Sequence, residues 1–312
     1  MSTSRHHHYL SQCYLKGFTQ GNAKKSKLTV VDLKESKAFE TIPRNVGGMR
    51  DFNRVEIEGV DPEVIEKIQS EFEAKVAKAL QGLPETLDFS GETKDLILEF
   101  IGMLAIKSPE MREHLSKPFI QIAKMTMAMT MDTKERWESQ IAKIKAETGE
   151  DISNGKTYEE LKEFIERQEY EITVTKEHQI HMEFVGIQKI TELLHMRNWT
   201  LVKAGGDSGE FITTDNPVSL TWHNPDQVPT FMSPGFGLRD TMVYFPISKK
   251  LALVGEFDRE DAVTEANKFL VAFLNSKIIA NCYQRVFAAK INFNYVAKNG
   301  KFNKGNALLK KA

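Results

Sequence analysis

The sequence has few cysteines and no long apolar run, and these absences exclude several classes of protein. Only 2 of its 312 residues are cysteine, Cys13 and Cys282, which is too few for a disulfide scaffold or a cysteine-rich zinc site. No segment approaches the ~18 consecutive apolar residues of a membrane-spanning helix, and residues 1–12 contain no apolar stretch typical of a signal peptide. Because 41% of the residues are hydrophobic, we expect a folded cytoplasmic protein with a large core.

Several common catalytic motifs are also missing. The glycine-rich segment 205–209 is not a phosphate-binding loop, because no helix with a Lys-Ser or Lys-Thr start follows it. The chain has no Gly-x-Ser-x-Gly, no His-Glu-x-x-His and no dinucleotide-binding glycine motif. The commonest hydrolases, kinases and dehydrogenases are therefore poor interpretations of this sequence.

The charge is balanced overall but divided along the chain. The net charge is −1, yet residues 1–30 carry +5 and residues 266–312 carry +9, so residues 31–265 carry −15. If the two ends meet in the fold, they form a basic surface suited to the phosphates of a nucleic acid. The alternative interpretation is that these are ordinary solvated lysines and a frayed tail.

The order of the periodic patterns predicts an α+β fold. A hairpin is predicted from 28–33 and 37–43, followed by a run of helices, the first of which extends from Asp61 to Pro84. Strand patterns return in two further predicted hairpins, 199–204 with 210–215 and 242–248 with 251–257, before a predicted helix over 261–283.

We therefore expect a small mixed or antiparallel sheet built from N- and C-terminal segments, with a largely helical central body. The predicted domains are an α+β catalytic-like core, 1–60 with 198–312, and a helical body, 61–197, or else one single domain over 1–312.

Histidine is concentrated near the N-terminus. His6, His7 and His8 are consecutive, and imidazole can bind a metal or transfer protons near neutral pH. A remnant of an expression tag or a polar arm without a role would explain the run equally well. A second pair, His178 and His181, has a metal-ligand spacing, but His195 would lie ~21 Å further along a continuous helix and cannot complete that site.

The segment that follows these histidines resembles a known family. Residues 7–18, HHYLSQCYLKGF, are similar to the start of a family of bacterial and phage-borne proteins catalogued as domain of unknown function 4238, whose members begin His-His-Tyr-Val-Pro-x-x-Tyr-Leu-x-x-Phe. Segments 43–46, 50–52 and 211–218, with Pro-Ile-Ser at 246–248, fit the same family. Ser11 replaces the usual proline and Cys13 is smaller than usual.

The resemblance implies an α+β fold in which the histidines and the later Thr-Asp-Asn-Pro segment lie near one another. It also implies a role in defence against phage.

The residues suggest which side chains carry the chemistry. Asp215 and Asn216 directly follow a predicted strand, where loops often hold catalytic groups, although both side chains could equally cap or turn the chain. Asp51 follows a glycine pair, and an ion pair with Arg44 or Arg50 would also explain it. Glu73 is a third candidate acid, with a solvated helix face as the alternative. The proposed catalytic residues are His7, His8, Asp51, Glu73, Asp215 and Asn216.

These side chains fit hydrolysis of a phosphodiester, with imidazole for proton transfer and carboxylates for Mg²⁺ or Mn²⁺. The predicted nucleic-acid-binding residues are Arg5, Lys16, Arg44, Arg50, Arg285 and Lys290. Our leading hypothesis is an anti-phage effector that cleaves nucleic acid, RNA in preference to DNA, with a phage-derived trigger. The alternatives are a non-enzymatic sensor that recognises a phage component, and an enzyme that modifies a nucleotide or a protein.

Overall fold

A computed structural model describes residues 5–310 apart from residues 22, 24 and 169. Within those residues 45% of the chain is helical and 19% is in strands, which confirms the predicted α+β class. None of the described helices is long and apolar enough to cross a membrane. Lys24 and Lys311, which contribute to the charge of the two ends, lie outside the described residues.

Eight α-helices occur in the described part of the chain. Their bounds are α1 Gln12–Leu15, α2 Val64–Thr86, α3 Gly91–Ile106, α4 Pro109–Thr130, α5 Lys134–Thr148, α6 Tyr158–Glu166, α7 Lys176–His195 and α8 Lys268–Ala280.

Thirteen short strands are described alongside them. Their bounds are β1 His6–His8, β2 Leu28–Asp32, β3 Lys37–Thr41, β4 Gly48–Arg50, β5 Asn198–Ala204, β6 Thr213–Thr214, β7 Ser219–Trp222, β8 Thr241–Ser248, β9 Leu251–Glu256, β10 Ala262–Ala266, β11 Arg285–Ala288, β12 Asn294–Val296 and β13 Phe302–Lys304.

Two larger sheets organise these strands. The first has the order β10-β5-β9-β8-β7, in which only the β10–β5 pair is parallel, and it contains the predicted β8–β9 hairpin. The second has the order β3-β2-β11-β6 and is antiparallel throughout. In the second sheet the N-terminal hairpin pairs with a strand from the C-terminal segment, which confirms a sheet built from both ends of the chain.

The hairpin predicted from 199–204 and 210–215 is wrong. Strand β5 pairs with β9 and β10, so both of its edges are occupied, and β6 pairs with β11. The backbone of 210–212 bonds to a helix side chain: Asn275, buried on α8, accepts from the N–H of Ile212 over 3.1 Å and donates to the carbonyl of Glu210 over 3.0 Å. The buried amide of Asn275 thus makes the hydrogen bonds with these peptide groups that a partner strand would make in a hairpin.

The helix predicted over 261–283 begins later than expected. Residues 262–266 form β10, which includes the β-branched residues Val263 and Thr264 and pairs with β5. Helix α8 then begins after Asn267, whose side-chain oxygen accepts from the N–H of Leu270 over 2.9 Å. An asparagine N-cap of this kind marks the true start of the helix.

Helix α2 begins and ends a few residues later than predicted, at Val64 and Thr86, and carries one wall of the histidine cleft. It continues through Pro84 to Thr86 and ends at Leu87, which has the left-handed φ of 52°. Proline in a helix loses one backbone hydrogen bond, and only two further helical residues follow it here. The helix brings Glu66, Gln69 and Glu73 to neighbouring positions, because residues three or four apart share a face.

The chain divides into two compact units. The first comprises residues 1–110 and 183–312, and the second comprises residues 111–182. Helices α2 and α3 belong to the first unit. The division at residues 60 and 197 that the sequence suggested stays a prediction.

Tyr14 ties the N-terminal arm into the core of the first unit. Its ring is fully buried and stacks on Phe245 of β8, with 5.1 Å between ring centroids. Its hydroxyl lies 2.7 Å from the Thr213 hydroxyl and donates to the Pro246 carbonyl over 2.7 Å. Both large sheets are therefore bonded to one side chain of the arm, which holds the preceding histidines in place.

The second unit is helical and more polar. Helix α6 begins with a capping box, in which the Thr157 side chain accepts from the N–H of Glu160 and the Glu160 carboxylate accepts from the N–H of Thr157. Two methionines of α4, Met125 and Met129, are each 60% exposed, whereas Met131 is buried. These methionines therefore lie in different environments.

Candidate functional site

The three N-terminal histidines point to two different faces of a short strand. Strand β1 pairs with β4 in antiparallel register, His6 opposite Arg50 and His8 opposite Gly48. Successive side chains of a strand point to opposite faces. His7 is fully buried, whereas His6 is exposed and His8 is half-buried. Residues 6 and 8 thus share one face of the arm, and their rings pack edge to face with 5.1 Å between centroids.

His7 is held by polar groups of the protein interior. The backbone N–H of Asn53 donates to Nδ1 of His7 over 2.9 Å, so Nδ1 carries the lone pair. Nε2 lies 2.9 Å from a carboxylate oxygen of Glu63 but off the direction of a good hydrogen bond, which makes this contact mainly electrostatic. Glu63 is also bound by Arg54, at 2.9 Å. These contacts give His7 a structural role, and a catalytic role for it stays a prediction.

His8 has the properties of a general base. Its Nε2 lies 3.2 Å from the carbonyl of Arg44, which can only accept, so Nε2 carries the proton and Nδ1 the lone pair. Nδ1 lies 3.5 Å from the amide nitrogen of Gln12, a weak contact. Burial lowers the pKa of His8 below its ordinary value of 6.5, and the Arg44 carbonyl only partly opposes this shift. The imidazole is therefore neutral near pH 7 and able to accept a proton.

His6 and His8 face an open cleft of about 840 Å³ in the first unit. The residues that line it are His6, His8, Gln12, Arg44, Asn45, Glu63, Glu66, Lys67, Ser70 and Glu71. The lining is polar and carries both signs of charge. Gly48 makes room at its edge, because a Cβ placed on this glycine would overlap Nε2 of His6.

A buried polar network connects this arm to helices α2 and α3. Asn53 donates from Nδ2 to Glu66 over 2.6 Å and to Gln69 over 3.0 Å. Lys107 donates to the carbonyl of His8 over 3.0 Å and also to Gln69. Gln69 in turn donates to Glu73 over 3.0 Å. Each of these groups has its polar partner inside the protein, which fixes the position of the arm.

Glu73, one of the predicted catalytic acids, ends this network and lies outside the lining of the cleft. Burial raises the pKa of its carboxyl, and the nearby Lys107 and the hydrogen bond from Gln69 oppose the rise. The neighbouring Cys13 has a pKa of about 11, raised by burial. Such a thiol stays protonated at neutral pH, which removes it as a nucleophile.

Asp51 is paired with arginines. Its carboxylate accepts from Arg5 in a two-pronged contact, with Nε at 2.7 Å, and lies 3.5 Å from Arg50. The hydrogen bond from Arg5 is the main cause that lowers the pKa of Asp51. The ion-pair alternative for Asp51 is thus present, with Arg5 and Arg50 as partners, and a catalytic role for Asp51 stays a prediction.

Asp215 organises the loop between α8 and β11. Its buried carboxylate accepts the backbone N–H groups of Tyr283, Gln284 and Arg285, at 2.8–3.0 Å. Asn216 donates to the carbonyl of Asn281 over 2.9 Å, and Asn281 donates back to the carbonyl of Asn216 over 3.0 Å. Both side chains therefore form hydrogen bonds that stabilise the backbone of the loop. This is the structural role that the sequence offered as the alternative to catalysis.

Tyr9 connects the two family motifs. Burial raises its pKa to about 12, and the negative charges of Asp215 and Glu110 add to this rise while Arg285 opposes it. Its ring also packs against Phe52, with 5.9 Å between centroids. The arm and the Asp215 turn thus lie in one electrostatic neighbourhood. Their side-chain hydrogen-bond partners are nevertheless different: those of His7 and His8 come from residues 12, 44 and 53, and those of Asp215 come from residues 282–285.

Of the six basic residues predicted to bind nucleic acid, Arg44 is the one that lines the cleft. Arg5 and Arg50 face Asp51, and Arg285 lies 3.1 Å from the buried Asp32. Lys16 and Lys290 are exposed elsewhere on the surface. Nucleic-acid binding by these residues stays a prediction.

The sequence interpretation omitted several residues of the cleft. Chief among them are His6, Glu63 and Glu66. Because side chains alternate along a strand, a buried His7 would have placed His6 and His8 on the same outward face. The helix start signal at Asp61-Pro62 would have placed Glu63 and Glu66 in the first turn of α2. Among the described residues no group of three or more His, Cys, Asp or Glu side chains could hold a metal ion. The Mg²⁺ or Mn²⁺ suggested by the sequence stays an expectation.

The burial of His7 predicts a large loss of stability on its removal. We expect His7→Ala to lower the free energy of unfolding by about 2–4 kcal/mol, because it leaves the buried N–H of Asn53 without its acceptor and removes one of the two groups that contact the Glu63 carboxylate. Urea denaturation measures the change. The control His6→Ala removes an exposed ring and should change stability by less than about 0.5 kcal/mol. Equal effects of the two substitutions would contradict the structural role of His7.

Because Asp215 binds three backbone N–H groups, we expect an isosteric substitution at this position to cause a similar loss of stability. Asp215→Asn keeps the shape but turns one acceptor oxygen into a donor that faces backbone N–H groups, so we expect a loss of about 2–4 kcal/mol. The exposed Asp226 provides the control, since Asp226→Asn should be nearly neutral. A fully stable Asp215→Asn variant would refute this account.

The lowered pKa of His8 predicts a pH dependence of stability. Unfolded chains bind a proton at His8 near pH 6.5, whereas the folded protein resists protonation, so this contribution is complete above pH 6.5 and is lost as the pH falls towards the folded pKa. His8→Gln should therefore lose less stability than the unsubstituted protein between about pH 7 and pH 5. Urea denaturation at a series of pH values measures the difference. If the stability of the two proteins changed in parallel with pH, the lowered pKa of His8 would be contradicted.

Comparison with known proteins identifies the family of the chain. No curated protein and no solved structure matches it significantly. One family profile matches over residues 6–291, a range that contains the histidine arm, the Asp51 turn and the Thr-Asp-Asn-Pro segment. The chain therefore belongs to the family described as "Protein of unknown function (DUF4238)", which confirms the resemblance inferred from its N-terminal motif.

Proposed function

We propose that this protein cleaves RNA at the cleft that His6 and His8 line. The observation that carries the proposal is the pairing of two imidazoles on one face of β1, with 5.1 Å between their centroids, beside the guanidinium of Arg44. A neutral and a protonated imidazole acting together provide general base and general acid catalysis. The burial that keeps His8 neutral assigns it the role of base.

The reaction that fits is an internal transfer at phosphorus. Nδ1 of His8 takes the proton of a ribose 2′-hydroxyl, and the resulting oxygen attacks the adjacent phosphorus. The bond from phosphorus to the 5′-oxygen breaks, and a protonated His6 gives its proton to that oxygen. The products are a 2′,3′-cyclic phosphate and a 5′-hydroxyl end. DNA lacks the 2′-hydroxyl, which accounts for the preference for RNA.

Arg44 is the group best suited to hold the phosphate. A guanidinium binds phosphate oxygens through two parallel N–H groups and stabilises charge that develops on them. Arg44 is exposed at the cleft, and its own backbone carbonyl orients His8. The same residue thus binds the substrate and positions the base. In line with the family resemblance, the proposed setting is defence against phage in the bacterial cytoplasm.

A second candidate, a non-enzymatic binding module, is favoured by the acids of the cleft. Glu63, Glu66 and Glu71 face the same space as the histidines, and carboxylates repel a polyanion but attract a basic peptide. His7, Asp215 and Asn216 are, in addition, occupied by structural bonds. In this alternative the cleft recognises a basic segment of a phage protein.

The proposal predicts cleavage that depends on both imidazoles. Purified protein should cut tRNA or total RNA but not duplex DNA, in EDTA as well as in Mg²⁺ or Mn²⁺, and His6→Ala and His8→Ala should each lower the rate by about 10²–10⁴-fold. Gly48→Ala should slow the reaction as well, because the new methyl group displaces the His6 ring without removing it. His114→Ala, which removes an exposed histidine on α4, is the matched control and should cleave normally.

Several outcomes would overturn this function. They are failure to cleave under any condition, cleavage that His8→Ala leaves intact, cleavage that requires a metal, and products with a 5′-phosphate. The binding module predicts instead that phage protection survives Gly48→Ala but is lost on charge reversal by Glu71→Lys, with the melting temperature unchanged in both variants.

A further inference from the structure

A second cavity, of about 140 Å³, lies in the first unit between α2, α3 and α7. We propose that it binds a small single-ring aromatic molecule that carries a hydroxyl or N–H donor. The inference is independent of RNA cleavage, because it rests on a different space and on different atoms from those of the histidine cleft.

The walls of the cavity are mostly apolar. They include Ile65 and Phe72 of α2, Met103 of α3 and Ile187 of α7. Ile68 and Phe184 also line it and are 54% and 47% exposed, so the cavity reaches the surface through two large apolar side chains. A bound ring would remove apolar surface from water both inside the cavity and at this opening.

Asn53 supplies a polar atom without a partner. Asn53 is fully buried and lines the cavity, and its Oδ1 has no hydrogen-bond partner among the residues that the structure describes. The orientation of the amide is settled by its surroundings, because Nδ2 donates to the oxygens of Glu66 and Gln69. Oδ1 is therefore a buried acceptor without a partner among the described protein groups. A buried acceptor of this kind costs free energy until a donor reaches it.

Size and polarity together define the ligand. Apolar cavities of about 150 Å³ take up benzene, so a cavity of about 140 Å³ suits one six-membered ring. The ring needs a donor to satisfy Oδ1 of Asn53. It should carry no net charge, since burying an unpaired ion beside apolar walls is strongly unfavourable. Three charged residues, Glu99, Lys107 and Glu183, also border the cavity, and the ammonium of Lys107 already donates to Gln69 and to the carbonyl of His8.

Three probes of nearly equal shape test the proposal on the unsubstituted protein. Phenol offers a ring and a donor, toluene offers a ring alone, and anisole offers a ring with an acceptor. We expect phenol to bind about five- to tenfold more tightly than toluene or anisole, measured by calorimetry or NMR titration. A purely apolar cavity would reverse the order, because phenol would then bury its hydroxyl unpaired.

Two variants locate the binding. Ile187→Phe fills the cavity and should abolish phenol binding, whereas Ile122→Phe makes the same change at an exposed position of α4 and should leave binding intact. If Ile187→Phe unfolds, Phe184→Ala removes one wall of the opening and should weaken binding severalfold. The proposal is refuted if toluene binds as tightly as phenol, if no probe binds, or if phenol binding survives these changes at Ile187 or Phe184.

Discussion

The candidate site depends on the pairing of β1 with β4 around a buried histidine. Because side chains alternate along a strand, turning His7 inward forces the residues on either side of it outward together. The N–H of Asn53 and the carboxylate of Glu63 hold His7 in the interior, and the buried ammonium of Lys107 bonds the backbone at His8. A three-residue strand is thus fixed firmly enough to present two imidazoles to a cleft.

Many of the polar side chains in the family motifs form hydrogen bonds that stabilise the fold. Asp215 gathers backbone N–H groups of the loop after α8, and Tyr14 bonds to both large sheets. Tyr9 lies between these elements, within the field of the Asp215 carboxylate. Of the two motif histidines, His8 lines the cleft, together with His6, which directly precedes the motif. The same interior network reaches Asn53, which also lines the second cavity.

The α+β class and two of the hairpins followed from local pattern. Alternating β-branched residues around polar turns identify β2–β3 and β8–β9, where strands adjacent in sequence also pair in space. The same reasoning failed for residues 210–215, because the partner of β6 is β11, a strand some seventy residues later in the chain. In addition, the buried side chain of Asn275 forms hydrogen bonds with the peptide groups that precede β6. Of the residues that the sequence proposed for a site, His8 and Arg44 line the cleft, whereas Glu63 and Glu66, at the start of α2, were not among those proposed.

The sequence by itself determined the periodicity of its elements, the basic ends, the scarcity of cysteine and the family motif. These are properties of neighbouring residues, and they need no knowledge of the fold. Only the tertiary structure decided which histidine is buried, which carboxylates are occupied by backbone donors, and that an amide oxygen of Asn53 remains unpaired beside an apolar cavity. Burial and hydrogen bonding join residues far apart in the chain, so local sequence pattern carries little information about them.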